Sequence, residues 1–152
     1  MNSKIIIVAG DPKSINLELI SKAWKKLNNQ IKKKIYLVGN YNLIKNHFKS
    51  LKLSLSSVKV DSLEDEGIFN NLKIIDVPFN TKNFFNIDQK KTSNYVINCL
   101  NLAHELSLRK DVKGLINCPI NKIHLKKTNK IGVTEYLAKK CSILDKSEIM
   151  LI

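Results

Sequence analysis

Within the first fifty residues, two short and almost wholly apolar runs are each followed by a turn and an amphipathic stretch. That alternation limits the folds open to this chain. Lys4 to Ala9 is continuous and β-branched and meets Gly10-Asp11-Pro12 at once, so it reads as a buried strand. Ser14 can cap the helix that follows, with Glu18 in its first turn. Ile15, Leu19, Ile20, Ala23, Trp24 and Leu27 recur there at helical spacing. Lys34 to Val38 reads as a second strand ended by Gly39-Asn40, and Leu43 to Leu51 as a second helix with Leu43, Ile44, Phe48 and Leu51 inward. Strand, helix, strand, helix implies a parallel sheet with right-handed crossovers.

The remainder extends the pattern. Val58 to Val60 and Leu72 to Val77 read as strands, separated by an acidic loop from Asp61 to Gly67. Pro78 to Ile87 has no periodicity and reads as a loop. Thr92 to Leu108 is the longest helix, with Val96, Leu100, Ala103 and Leu106 to Leu108 on its apolar face. Gly114 to Asn117 is a short apolar strand, expected to be central, and Pro119 cannot continue it in the ladder. The chain must leave the sheet there, carrying Asn121 and Lys122 into the loop at the strand's carboxyl end, where open α/β sheets bind ligands. Lys122 to Lys130 reads as a basic loop or short helix. Thr134 to Lys140 reads as a helix with Thr134 and Glu135 at its start. A lysine near a helix amino terminus makes a phosphate site plausible. Glu148 to Ile152 reads as the start of another strand.

Composition narrows the classes of function. The net charge of +13 invites a nucleic-acid reading, but of 26 basic residues only Arg109 is arginine, the preferred reader of phosphate and base edges. The lysines are scattered, and aromatics at 7% supply no stacking platform. Cys99, Cys118 and Cys141 show no pairing or metal-ligand spacing, which fits a reducing cytoplasm. The apolar run at the amino terminus is too short for a signal peptide, and no stretch approaches the ~20 apolar residues of a membrane span.

Two motifs near the end, Leu115-Ile116-Asn117-Cys118-Pro119-Ile120-Asn121-Lys122 and Gly132-Val133-Thr134-Glu135-Tyr136-Leu137, resemble those of the 4-hydroxythreonine-4-phosphate dehydrogenase family. That family carries a Gly-Pro-Ile/Val-Asn/His-Lys loop, then Gly-His-Thr-Glu before an aromatic residue. Val8-Ala9-Gly10-Asp11-Pro12, running to Glu18, resembles the family's opening Gly-Asp-Pro-Ala-Gly-Ile-Gly-Pro-Glu. The resemblance implies a three-layer α/β/α fold of the isocitrate/isopropylmalate dehydrogenase type, incomplete at its carboxyl end. It also implies an NAD-dependent oxidation, with decarboxylation, of 4-phosphooxy-L-threonine in pyridoxal phosphate biosynthesis. The expected cofactors are NAD and a divalent ion (zinc, magnesium or cobalt), and the expected partners are the phosphorylated hydroxy-amino-acid substrate and a second copy in a cytoplasmic homodimer. The family's three metal-binding histidines and most of its cofactor site lie past the position of Ile152. Residues 1–152 therefore read as the amino-terminal part of an enzyme about twice as long, with no catalytic or metal-binding residue of their own and no activity in isolation. The alternatives are an inactive phosphate-ester-binding module and, less favoured, a basic nucleic-acid-associated protein.

By this resemblance the substrate-binding residues are Thr134, Val133, Lys122 and Asp11. Three of them have a plainer role beside this one. Asp11 can belong to a strand-ending turn, Lys122 can be one more solvated lysine, and Thr134 can cap a helix whose dipole Glu135 complements. Val133 stands where the family has a histidine, Ser14 and Asn16 where it has glycines, and Leu17 where it has proline. His47, His104 and His124 share no ligand spacing and read as ordinary surface or packing residues, with His104 on the polar side of its helix. Cys118 reads as a small buried residue. No Ser-His-Asp arrangement, Walker loop or dinucleotide fingerprint is present in the spacing.

Overall fold

The computed structural model describes residues 3–81, 88–129 and 132–142. Five strands form one sheet: β1 (Lys4–Val8), β2 (Ile35–Gly39), β3 (Ser57–Val60), β4 (Leu72–Asp76) and β5 (Val112–Asn117). Their order is β3-β4-β2-β1-β5, and every pairing is parallel. The helices are α1 (Asn16–Lys26), the single turn α2 (Asn29–Lys32), α3 (Tyr41–Ser50), α4 (Gln89–Ser107) and α5 (Val133–Lys140). A 3-10 helix, η1, spans Lys122–Thr128.

Alternation along the strands divides the core into two layers. Ile6, Val8, Tyr36, Val38 and Val60 face α4, whose Tyr95, Val96, Cys99, Leu100 and Ala103 pack on them together with Leu125 of η1. Ile35, Leu37, Leu72 and Ile74 face the other way, under Leu17, Ile20 and Trp24 of α1 and Leu43, Ile44 and Phe48 of α3. The expected parallel α/β architecture is therefore present. Side-chain caps start three of the helices: Asn28 accepts from Ile31 N–H, Asn40 from Leu43 N–H and Asp88 from Lys91 N–H. Asp76 at the end of β4 accepts from Tyr41 N–H at 2.8 Å, tying the ends of β2 and β4 together.

Four expectations need correction. Within the described residues β5 is an edge strand rather than a central one, because it pairs with β1 alone. Ile15, Leu19 and Ala23 are exposed, since α1 turns inward the expected Ile20 and Trp24 together with Leu17. Leu51 and Leu108 lie just past the ends of α3 and α4 and are exposed. His104 is buried, with Nε2 3.2 Å from Cys141 Sγ, because α5 folds back over that side of α4. The strand read at Glu148–Ile152 and most of the loop before α4 fall outside the described residues. Among the described residues no helix is long and apolar enough to cross a membrane.

Leu37 is fully buried in the middle of the sheet. Replacing it with alanine removes buried methyl groups and leaves a cavity. We expect Leu37→Ala to lower stability by roughly 2–5 kcal/mol, read as a lower urea midpoint at unchanged slope.

Candidate functional site at the carboxyl edge of the sheet

Parallel pairing places the ends of β1 and β5 side by side, with Val8 opposite Asn117. Cys118 N–H still donates to Val8 O at 3.1 Å, and Pro119 then turns the chain away. The two loops leaving these strands are in contact. Gly10 has φ of 78°, and a Cβ placed there would lie 2.6 Å from Asn16 Nδ2 and 3.1 Å from Pro119 O. Both the dihedral and the close approach require glycine.

Asn16 occupies a position where the resembling motif has glycine, and its side chain joins the loops. Nδ2 donates to Ala9 O at 3.1 Å and to Pro119 O at 2.8 Å, while the residue is 1% exposed. Asp11 is held as tightly. Its Oδ1 accepts from Lys13 N–H at 2.9 Å, and its Oδ2 lies 3.0 Å from His124 Nε2. Ser14 is not the cap expected of it: Ile15 holds the cap position of α1 without a side-chain cap bond, and the Ser14 hydroxyl instead accepts from Asn16 N–H and donates to Asp11 O within the turn.

Asn121 caps η1 by accepting from Ile123 N–H, and Lys122 opens that helix with an exposed side chain. Helix α5 packs against η1 and is anchored to α4 by Tyr136 Oη, which donates to Asn101 Oδ1 at 2.5 Å. Its cap residue is Gly132, which supplies no side-chain acceptor to the first turn. Thr134 is exposed in that turn, whereas Val133 is partly buried and packs toward the core. Among the described residues neither the Lys122 ammonium nor the Thr134 hydroxyl has an intramolecular partner. The structure thus joins Asp11 to η1 directly and brings α5 against η1. It shows no direct bond among Asp11, Lys122 and Thr134.

A separate cleft of about 670 Å³ opens between α1 and α3, lined by Pro12, Lys13, Ser14, Glu18, Leu43 and His47 among others. Lys122, Val133 and Thr134 do not line it. Cys118 is half-buried, its thiol pushed up by burial, and faces an apolar groove beside α1.

One constellation was not legible in the sequence. His124 is buried, with Nδ1 3.1 Å from Ser93 Oγ and Nε2 facing Asp11. These residue types match a nucleophilic triad, but their setting does not. Ser93 is itself buried on α4, and its hydroxyl lies 2.9 Å from the Gln89 carbonyl of its own helix. The chain of contacts is an anchor. Only the three-dimensional path reveals it, since its members are 113 and 31 residues apart.

These features define a parallel α/β protein whose ligand-type loops gather at the carboxyl ends of β1 and β5. The profile of the family described as "Pyridoxal phosphate biosynthetic protein PdxA" matches residues 30–152, and the chain belongs to that family. A 4-hydroxythreonine-4-phosphate dehydrogenase of Aquifex aeolicus (strain VF5) is 28% identical over 156 residues, covering 99% of this chain and 46% of the relative. The chain thus spans about half the length of the curated relative it matches. Two solved structures share its fold. A 4-hydroxythreonine-4-phosphate dehydrogenase from Burkholderia phymatum has a TM-score of 0.77 at 15% identity, covering 93% of this chain and 44% of that one. The enzyme of the same name from Klebsiella pneumoniae has a TM-score of 0.72 at 17% identity, covering 90% and 45%.

Gly10→Ala combines a disfavoured φ with a clash against the second loop. It is expected to cost about 1–3 kcal/mol. The same substitution should shift the Asn16 side-chain amide and the Cys118 backbone amide in an amide correlation spectrum, while β3 and β4 stay unmoved.

Proposed function

We propose that this chain forms the substrate-side part of a 4-hydroxythreonine-4-phosphate dehydrogenase. The complete enzyme, on this reading, is a cytoplasmic homodimer that uses NAD and a divalent metal to oxidise 4-phosphooxy-L-threonine with loss of carbon dioxide, in pyridoxal phosphate synthesis. The observation that supports it best is that, among the described residues, Lys122 on η1 and Thr134 in the first turn of α5, which has no side-chain cap, are exposed donors without a partner. The Lys122 ammonium neutralises the substrate phosphate as a point charge. The free N–H groups of α5 favour the same anion, and Thr134 donates its hydroxyl. Asp11 shapes the loop rather than meeting the ligand, because both carboxylate oxygens are already engaged. Val133 leaves unfilled the hydrogen bond that a histidine supplies in the resembling motif.

Among the described residues, no three His, Cys, Asp or Glu side chains group to hold a metal ion. A metal therefore does not fit a site built from them, and no step is assigned through one. The turn after β1 lacks Gly-x-Gly-x-x-Gly spacing, so NAD is not assigned to it either. The role left to these residues is to bind and orient the phosphorylated substrate.

Calorimetry with the 152-residue chain and 4-phosphooxy-L-threonine tests this. Binding without added metal is expected, and no NAD reduction. Lys122→Ala should weaken binding by about tenfold or more, in line with ~1.5–3 kcal/mol for a hydrogen bond to a charged group. Val133→His should strengthen it in the same range. Absence of binding would overturn the substrate assignment. Metal-dependent NADH formation by the chain alone would overturn its restriction to the substrate side.

A further inference from the structure

We propose that His124 is a positioning residue that locks the turn after β1 to the start of η1, so that Lys122 is presented in one place. What Lys122 meets rests on the substrate reading above. The lock itself is a property of the unliganded chain.

His124 is 5% exposed, and the Asp11 side chain it faces is 13% exposed. A carboxylate only accepts hydrogen bonds, so Nε2, at 3.0 Å from Asp11 Oδ2, carries a proton in the neutral and the charged ring alike. Nδ1 faces the Ser93 hydroxyl at 3.1 Å, and a hydroxyl both donates and accepts. With its proton on the Gln89 carbonyl, Ser93 Oγ accepts from Nδ1–H of a charged ring; a neutral ring protonated at Nε2 takes that proton instead, and in both cases Asp11 requires the proton on Nε2. Through this one side chain, the β1 turn and α4 both hold η1.

A filler in the core would need only volume at this position. Two further observations show more than filling. Leu125, the next residue, is fully buried against the α4 layer, so η1 is gripped by adjacent residues in different ways: one apolar, one hydrogen-bonded. Asn16 also ties the same two loops at a second point, through Pro119 O at 2.8 Å. One contact between two loops permits a pivot, and two separated contacts remove it. Lys122 lies two residues before His124, less than one turn of a 3-10 helix and about 4 Å along its axis. Fixing His124 therefore fixes the backbone that carries the Lys122 ammonium.

The test uses the 152-residue chain and His124→Ala, with amide hydrogen exchange followed by NMR. The amides of Lys13, bonded to Asp11 Oδ1, and Ile123, bonded to Asn121 Oδ1, are expected to exchange at least about tenfold faster. Leu37 and Val38 in β2 should change by less than about twofold. His124→Gln keeps a donor toward Asp11 and should restore most of the Lys13 protection. Nitrogen-15 spectra of the wild-type imidazole should show Nε2 protonated, and Asp11→Ala should abolish that preference. Affinity for 4-phosphooxy-L-threonine should fall about fivefold in His124→Ala with Lys122 intact. Equal acceleration in β2, no acceleration at Lys13 and Ile123, or a wild-type ring without a proton on Nε2 would overturn the proposal. Should His124→Ala not fold, His124→Gln and the Asp11→Ala ring spectrum decide it. If the exchange pattern holds but the wild type binds no phosphate ester, the substrate reading fails and the lock stands.

Discussion

The parallel pairing of β1 with β5 is the constraint on which the rest of this structure depends. It joins segments more than a hundred residues apart and sets Val8 beside Asn117, so the loops that follow must emerge side by side. Everything proposed for the site uses that adjacency. Gly10 is glycine because the second loop passes against it, and Asn16 and His124 can reach across only because the gap is one side chain wide. A register slip would separate these partners and reverse which residues face the core.

The core layers keep that pairing in place. On one face α4 presses Val96, Cys99, Leu100 and Ala103 onto β1 and β2, all fully buried. Burial of this depth pushes the Cys99 thiol up to about 12, so it stays protonated and acts as a small apolar filler. At the amino-terminal edge of the sheet, Arg109 joins Glu64 and Asp111, and Asp111 in turn takes Lys4 at 2.6 Å. The Arg109 guanidinium holds the Asp111 carboxyl well below the usual range. These pairs are partly exposed and serve more to orient the entry into β1 and β5 than to stabilise. Charge pairs stand at both ends of the sheet, since Lys59 meets Asp76 at the carboxyl end of β4 at 3.0 Å.

Much of this was legible in the residues, for identifiable reasons. The strands lie within a few residues of the apolar runs, because β-branched stretches ended by Gly-Asp-Pro or Gly-Asn leave little choice. The parallel order followed from alternation with helices. Misplaced inward residues such as Ile15, Leu19 and Leu51 lie at helix ends or a residue off the true stripe, where periodicity alone is a weak guide. The placement of β5 at the edge depends on which strands lie beside it, which local pattern does not encode. Among candidate site residues, Lys122 and Thr134 are exposed, at the starts of η1 and α5. The His124 anchor was invisible because Asp11 and Ser93 carry no spacing relation to it. Its only hint was a histidine close behind a motif lysine.

The exposed side of β5 has one more consequence. Gly114 has open space where a side chain would be, Ile116 is 54% exposed, and a groove of about 270 Å³ runs between this strand and α1, lined by Leu19, Ile20, Trp24 and Ile116. Among the described residues no strand pairs with that edge. Unpaired backbone groups beside an apolar trough form a template for another strand, and neither a proline nor a bulge within β5 blunts it apart from the shift near Lys4 on the opposite, paired side. A net charge of +13 opposes such pairing between copies of this chain through mutual repulsion.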